Sequence, residues 1–497
     1  MKGNGHEHAH AQNRFAVLPA ALRLAGDTQR TGRGVTIALL DSGFYPHPDL
    51  IEPVSRIAAF HDLTEPGARL EAKARPDSWD WHGTQTSVVA AGNGHLSDGV
   101  YRGLASDACV VLVKVSERGR VTEQNIARGI EWVIENKERY DIRVLSISLG
   151  GDGDISYKES IADRAAEEAV RRGLVVVVAA GNAGHSDRHT PIPPANSPSV
   201  ITVGGYDDRN RLGGTPDLYW SSYGPTADGI LKPEIIAPAI WVAAPILPGS
   251  EFYEQAEALS QIADAPDYML DRLARLMAQP DYVLSGLASE LWQRAGLPES
   301  SRRAPADMIR ALVESRLNES KIVATHYQRV DGTSFAAPIV ASVVAQMIEA
   351  NPQLTPAAVK HILISTADRI TGAAAMRQGY GVLNARRAVE VATREGHSET
   401  ACFACPPRIE SGRLVFNYHD DAARSVALAG DFNGWDAGRT RFVKLRAGDW
   451  RAEIAPPPPG RYQYKFVVDE SRWVDDPANA VKEPDSYGGL NSVINLA

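Results

Sequence analysis

The run Gly34-Val35-Thr36-Ile37-Ala38-Leu39-Leu40-Asp41-Ser42-Gly43 decides the fold class. From Val35 to Leu40 it is apolar save for one threonine, and it stops at an acidic residue and a glycine. A strand that does not alternate with polar residues is buried on both faces, as in a parallel sheet covered by helices. Similar runs recur at Val110–Val115, Val144–Leu149, Leu174–Ala180 and Val200–Val203. Amphipathic helix candidates lie between them, among them Glu123–Asn136 and Tyr157–Arg172. The expected architecture is therefore α/β, a doubly wound parallel sheet.

Residues from about 250 to 327 break this rhythm. Met269, Leu270, Leu273, Leu276 and Met277 fall at helical spacing, as do Met308, Ile309, Leu312, Val313 and Leu317, which predicts a helical insertion with these stripes in its core. Helical patterns resume at Ser334–Glu349, Pro356–Thr366 and near Leu383–Arg394. Gly396 to Gly412 reads as a linker. Its Cys402-Phe-Ala-Cys405 has only His397 near it and opens no visible helix, so neither zinc nor redox chemistry is favoured. Beyond Arg413 short strands separated by turns predict a smaller all-β sandwich: Leu414–Tyr418, Ser425–Ala429, Trp450–Ile454 and Arg461–Val468. The expected divisions are an extension over 1–30, the α/β unit over 31–395, a linker over 396–412 and the sandwich over 413–497.

Four hundred and ninety-seven residues exceed one ordinary core, and 44% hydrophobic with 23% charged residues is a soluble, globular balance. A net charge of −9 argues against nucleic acid as a partner. No run reads as spanning a bilayer, so no membrane partner is expected. Met1 to Gln12 is polar and carries His6, His8 and His10, which read as a tail rather than a metal grip. With no secretory signal in view and three cysteines, the expected location is cytoplasmic.

Four motifs carry chemistry. Asp41-Ser42-Gly43 follows a strand, where catalytic groups of open α/β sheets gather, and its carboxylate can fix an imidazole tautomer. His82-Gly83-Thr84 opens a helix and offers a proton shuttle. Gly332-Thr333-Ser334-Phe335-Ala336-Ala337-Pro338 places a hydroxyl at a helix start, beside free N–H groups that favour an oxyanion; read blandly, Ser334 is an N-cap. Gly181-Asn182-Ala183-Gly184 ends a strand with an amide able to donate to that oxyanion.

In this order the motifs resemble the subtilisin-like serine proteases, over about Thr31 to Ala392 with the insertion excluded. Ser146-Ile-Ser-Leu-Gly150-Gly, Ser221-Ser-Tyr-Gly-Pro, Lys232-Pro-Glu-Ile-Ile-Ala-Pro238 and Gly379-Tyr-Gly381 belong to the same resemblance. It implies that Ser334 is the nucleophile, His82 the general base and Asp41 the orienting carboxylate. Asn182 and the Ser334 N–H would form the oxyanion hole, and Ser148, Leu149 and Gly150 would pair with the substrate backbone. Side-chain preference would be set near Gly150–Asp154 and Ala179–Ala183, with Asp152 and Asp154 either favouring basic residues or simply solvated. The chemistry requires no cofactor and no metal ligand is assigned. Such relatives often carry structural calcium, but no complete carboxylate loop is matched, so calcium stays open. Trp81 stands where the family usually has glycine, and Gln85-Thr86 replace the usual His-Val. No long propeptide is expected ahead of the domain, which on the resemblance favours an intracellular member, and Phe15 to Pro19 read as surface packing ahead of a cleft-blocking segment.

Gly430-Asp-Phe-Asn-Gly-Trp435-Asp, Tyr464-Lys465-Phe466, Trp473-Val-Asp-Asp-Pro477 and Tyr487-Gly-Gly-Leu-Asn491 resemble the glycogen-binding module of kinase regulatory subunits and branching enzymes. That resemblance implies Trp435 and Trp473 as stacking platforms for glucose rings, with Lys465 and Asn491 as polar contacts. The expected partners are a polypeptide substrate and an α-glucan such as glycogen. Two alternatives stand beside the protease: a silent glucan-binding scaffold and a peptide transpeptidase or cyclase. The intact Asp41, His82, Ser334 and Asn182 speak against the scaffold.

Overall fold

The structure, a computed structural model, describes residues 17–27, 29–151, 153, 155–277, 283–395, 406–410, 412–446, 448–479 and 481–496. His6, His8, His10, Phe15, Asp152, Asp154, His397, Cys402 and Cys405 lie outside them.

The central sheet contains β1 (Thr36–Asp41), β2 (Ile57–Asp62), β3 (Cys109–Lys114), β4 (Ile142–Ile147), β5 (Val175–Ala179), β6 (Ile201–Asp207) and β7 (Ile235–Pro238). They run in the order β7-β6-β5-β4-β1-β3-β2, all parallel, and Asp217–Leu218 adds a short antiparallel edge beside β6. Alternate residues enter two different cores. Ile37, Leu39, Leu112, Val144, Val177 and Val203 face one side, while Ala38, Leu40, Val113, Leu145 and Val178 face the other. Both sides are covered by helices, which is why the strands lack polar alternation. Each aliphatic side chain so withdrawn from water stabilises the fold by about 1.5–3 kcal/mol.

The first core packs against α1 (Asp80–Ala91); the second packs against α2 (Glu123–Asn136) and α3 (Ile161–Arg171). Ser160 caps α3 by accepting from Asp163 N, so Tyr157 to Ser160 precede the helix instead of opening it. The helical insertion follows β8 (Val242–Pro245). It comprises α4 (Glu251–Asp264), α5 (Asp267–Met277), α6 (Val283–Arg294) and α7 (Ala306–Glu319). Leu259, Ile262, Leu270, Trp292, Ile309 and Val313 form its own core. Met269 and Met308, expected in that core, are exposed instead. The chain returns through β9 (Ile322–Ala324) and β10 (Tyr327–Val330), and β10 pairs with β8.

Next come α8 (Thr333–Ala350), α9 (Pro356–Thr366) and α10 (Ala385–Arg394). The 18 residues of α8 are long and apolar enough to cross a membrane by composition, with a mean hydropathy of 1.4, contrary to the reading of the sequence alone. Here α8 is the central core helix, with 83% of its residues buried. Its polar end is satisfied internally: Gln346 donates to the Asp27, Arg30 and Leu104 carbonyls, and Glu349 accepts from the Thr31, Gly32 and Arg33 N–H groups.

The C-terminal sandwich has one sheet of β11 (Arg408–Glu410), β12 (Arg413–His419), β14 (Val443–Arg446) and β15 (Asp449–Ile454). The other holds β13 (Val426–Gly430), β16 (Gly460–Val468), β17 (Arg472–Val474), β18 (Lys482–Pro484) and β19 (Leu490–Leu496). Tyr464, Phe466 and Val468 of β16 point into the shared core with Phe416 and Leu428. Gln463, Lys465 and Val467 therefore take the outer face.

Candidate active site

Parallel strands deliver their last residues to one edge of the sheet. Asp41 is the final residue of β1, Ser148 follows β4, and Asn182 lies just past β5. Two helix starts meet them there: His82 is in the first turn of α1 and Ser334 in the first turn of α8.

Asp41 is fully buried. Its Oδ1 takes the Ser42 N–H at 2.7 Å and faces His82 Nδ1 at 2.7 Å, while Oδ2 accepts from Thr86 Oγ1 at 3.0 Å. A carboxylate is acceptor-only, so the imidazole carries its proton on Nδ1 and leaves Nε2 free to take another. Burial pulls the His82 pKa down, but the Asp41 charge and hydrogen bond outweigh it and hold it above 6.5. Gly83 lets α1 come this close: a Cβ there would lie 2.1 Å from Gly43 O and 2.8 Å from the Asp41 Cβ. Trp81 meets the imidazole perpendicularly at 5.2 Å between centroids, and Phe335 flanks it at 5.9 Å.

Gly332 caps α8 at φ 141°, a left-handed conformation that favours glycine, so Ser334 is not the N-cap. Asn182 Oδ1 accepts from Thr333 N at 3.0 Å and Thr333 Oγ1 at 3.1 Å, which turns the amide nitrogen outward as a donor. Pro338 lies inside α8, beyond its first turn, and supplies no N–H to the Ser334 carbonyl four residues back. That carbonyl instead accepts the Ser148 hydroxyl at 2.8 Å, which ties the substrate-side segment to the nucleophile's turn. Ser334 Oγ donates to Ser148 O at 3.4 Å, and no hydrogen bond joins it to His82. Such bonds are often open without substrate and close in the complex.

Ser148, Leu149 and Gly150 run past the last ladder pair of β4, Ile147 with Val178. Gly151 N donates to Pro193 O at 2.8 Å, and a Cβ on Gly150 would meet Ile192 at 2.7 Å, so the 192–193 segment walls this strip. The two departures after His82 have defined roles. Thr86 braces Asp41, and buried Gln85 donates to Pro245 O at 3.0 Å, fastening α1 to the root of the insertion. Thr333 and Thr86 were not singled out as site residues from sequence; their place beside Ser334 and one helical turn from His82 is the signal that marks them. Among the described residues, no cluster of three or more His, Cys, Asp or Glu side chains is placed to hold a metal ion.

On the sandwich, Trp435 and Trp473 stack at 6.5 Å and 30°. Trp435 Nε1 donates to Asp431 at 2.9 Å. Lys465 and Asn491, expected as polar contacts, already have partners: Lys465 pairs with Asp485, and Asn491 donates to Gln463 at 2.7 Å. Val17, in the middle of the expected Phe15–Pro19 segment, is buried against Tyr101, Val323 and Tyr327.

A doubly wound sheet that gathers an Asp-bound His, a helix-start Ser and an oriented Asn at its strand ends defines a subtilisin-like serine protease. Residues 32–381 match the Subtilase family, and the chain belongs to it. It is a serine protease by that membership. Residues 413–497 match the glycogen recognition site of AMP-activated protein kinase, so a glycogen-binding module follows the protease. Serine protease AprX of Bacillus subtilis (strain 168) is 33% identical over 368 residues, 72% of this chain and 67% of that protein. The major intracellular serine protease of the same organism is 33% identical over 35% of this chain and 51% of its own length. A solved protease of Pseudoalteromonas arctica PAMC 21717 shares the fold, with a TM-score of 0.50 and 24% identity, covering 77% of this chain and 97% of that one.

Proposed function

We propose that Asp41, His82 and Ser334 hydrolyse peptide bonds through an acyl-enzyme. The observation that carries this reading is the 2.7 Å contact of buried Asp41 with His82 Nδ1, on a ring whose Nε2 is left free. Ser334 Oγ attacks the scissile carbonyl carbon and its proton passes to His82 Nε2. The oxyanion is met by the Asn182 amide and the Ser334 N–H. The imidazolium then protonates the leaving amine, and water releases the acid by the reverse path. Ser148 to Gly150 hold the acyl side by main-chain pairing, which suits many sequences. Cleavage of a peptide library, with the acyl adduct located by mass spectrometry, tests the assignment: Ser334→Ala should lose both, and full activity in that variant would refute it.

We further propose that the sandwich binds α-glucan through the paired indoles, whose faces suit the C–H surfaces of glucose rings. With Lys465 and Asn491 already partnered, the stacking surface carries more of this reading than the polar contacts do.

A further inference from the structure

We propose that Trp81 is a specificity-determining residue of the cleft, a fixed indole that selects a bulky apolar side chain, aromatic above all, within two residues of the scissile bond. The inference rests on the triad reading above. A single exposed apolar side chain needs no explanation by itself. Trp81 differs in where it stands and how it is held. It is 49% exposed, yet its neighbour Asp80 is fully buried. Asp80 is anchored by Lys73 Nζ at 2.5 Å and by Asp77 N at 2.7 Å. On the other side of Trp81, His82 is fastened to Asp41 at 2.7 Å. Trp79, at the N-cap, lies against Gly43 and Gly119. The backbone under Trp81 is thus fixed from both directions, and its ring is braced at right angles to the imidazole.

The position follows from the chemistry. The scissile bond must lie alongside Ser334 and His82, its carbon beside Oγ and its leaving nitrogen within reach of Nε2, because the imidazole takes the serine proton and returns it to that nitrogen. The Trp81 ring centre is 5.2 Å from the imidazole centre. An extended peptide advances about 3.3 Å per residue, so a ring at that distance borders the first or second residue flanking the bond. Phe335, 5.9 Å from the imidazole, is only 4% exposed and is committed to the core, which among the described residues leaves Trp81 as the ring beside His82 that a substrate can cover. A preorganised ring costs little entropy to use, and contact with a second ring supplies roughly tenfold discrimination over a methyl group.

The test uses the full-length chain and peptides carrying Phe, Leu or Ala at each of the two positions on either side of the cleaved bond. We expect kcat/KM to favour Phe over Ala at one of these positions, Trp81→Gln to lower that ratio about tenfold there alone, and Trp81→Phe to retain it. The midpoint of the acid limb should not move in Trp81→Gln. An unchanged ratio would overturn the proposal. So would an equal loss for all peptides with a shifted acid limb, which would make Trp81 only a packing partner of His82. If the unaltered protein neither cleaves nor forms a Ser334 adduct, the triad reading falls and takes this inference with it. An intact adduct with flat selectivity overturns the role of Trp81 alone.

Discussion

At the scale of single residues, the contact that matters most is Asp41 Oδ1 to His82 Nδ1 at 2.7 Å. Its consequence is a pH profile. Burial lowers the imidazole pKa, the Asp41 charge and hydrogen bond raise it more, and the net value lies above 6.5. The imidazole accepts the serine proton only when neutral, so kcat/KM should rise with pH through a midpoint above 6.5. A midpoint well below 6.5 would mean that Asp41 does not act on His82. Asn182 makes a second prediction. Thr333 holds its oxygen, so the amide nitrogen is preset for the oxyanion. Asn182→Ala should lower kcat by about 10²- to 10³-fold, the cost of losing this donor in subtilisin itself, with KM little changed. A pure KM effect would assign Asn182 to ground-state binding.

At the scale of elements, the site depends on how closely α1 approaches the end of β1. Gly83→Ala would place a methyl 2.1 Å from Gly43 O, and backbone cannot yield as a flexible side chain does. Overpacking of this kind costs about 1–3 kcal/mol, and here the strain would shift His82 off Asp41. We therefore expect Gly83→Ala to lower both Tm and kcat; unchanged kcat at unchanged Tm would show that the approach is not critical. The elements that were legible in the sequence share a physical reason. β1, β3, β4 and β5 are buried on both faces, so their composition announces them, and the motifs sit where those strands end. β2 escaped notice because Ile57 to Asp62 form a half-exposed edge strand with a mixed pattern. Its His61 stacks on Trp132 at 4.4 Å, a long-range contact that no local pattern reveals. Thr86 escaped because a small polar residue in a helix reads as filler until Asp41 is seen beside it. Met269 and Met308 match the helical stripe yet face water, since periodicity marks a face and not its depth.

At the scale of the whole molecule, the sandwich docks far from the catalytic edge. Ile230 bridges Val481, the Lys482 ammonium lies 5.4 Å over the Tyr380 ring, and His361 of α9 meets His419 of β12 at 6.4 Å. A cavity of about 350 Å³ between the units is lined by Pro198, Ser199, Lys360, His361, Tyr380 and Lys482, among others, and by none of Asp41, His82 or Ser334. Pro198 and Ser199 precede β6, so this interface sits at the opposite end of the parallel strands from the catalytic groups. Glucan binding should then place the protease on its polymer without touching the chemistry. We expect the full-length chain to co-sediment with glycogen, Trp435→Ala and Trp473→Ala to weaken this at least about tenfold, and saturating glycogen to leave kcat/KM for short peptides unchanged. A chain that stays in the supernatant would refute the glucan reading, and a large glycogen effect on short peptides would refute the separation of the two sites.

The most direct test of the central claim is labelling of the full-length protein with a fluorophosphonate, beside Ser334→Ala. The triad reading predicts a covalent adduct on Ser334 that is absent from the variant, because only a serine activated by His82 attacks such a probe. A folded protein that takes up no label, or one that labels equally well in Ser334→Ala, would contradict it.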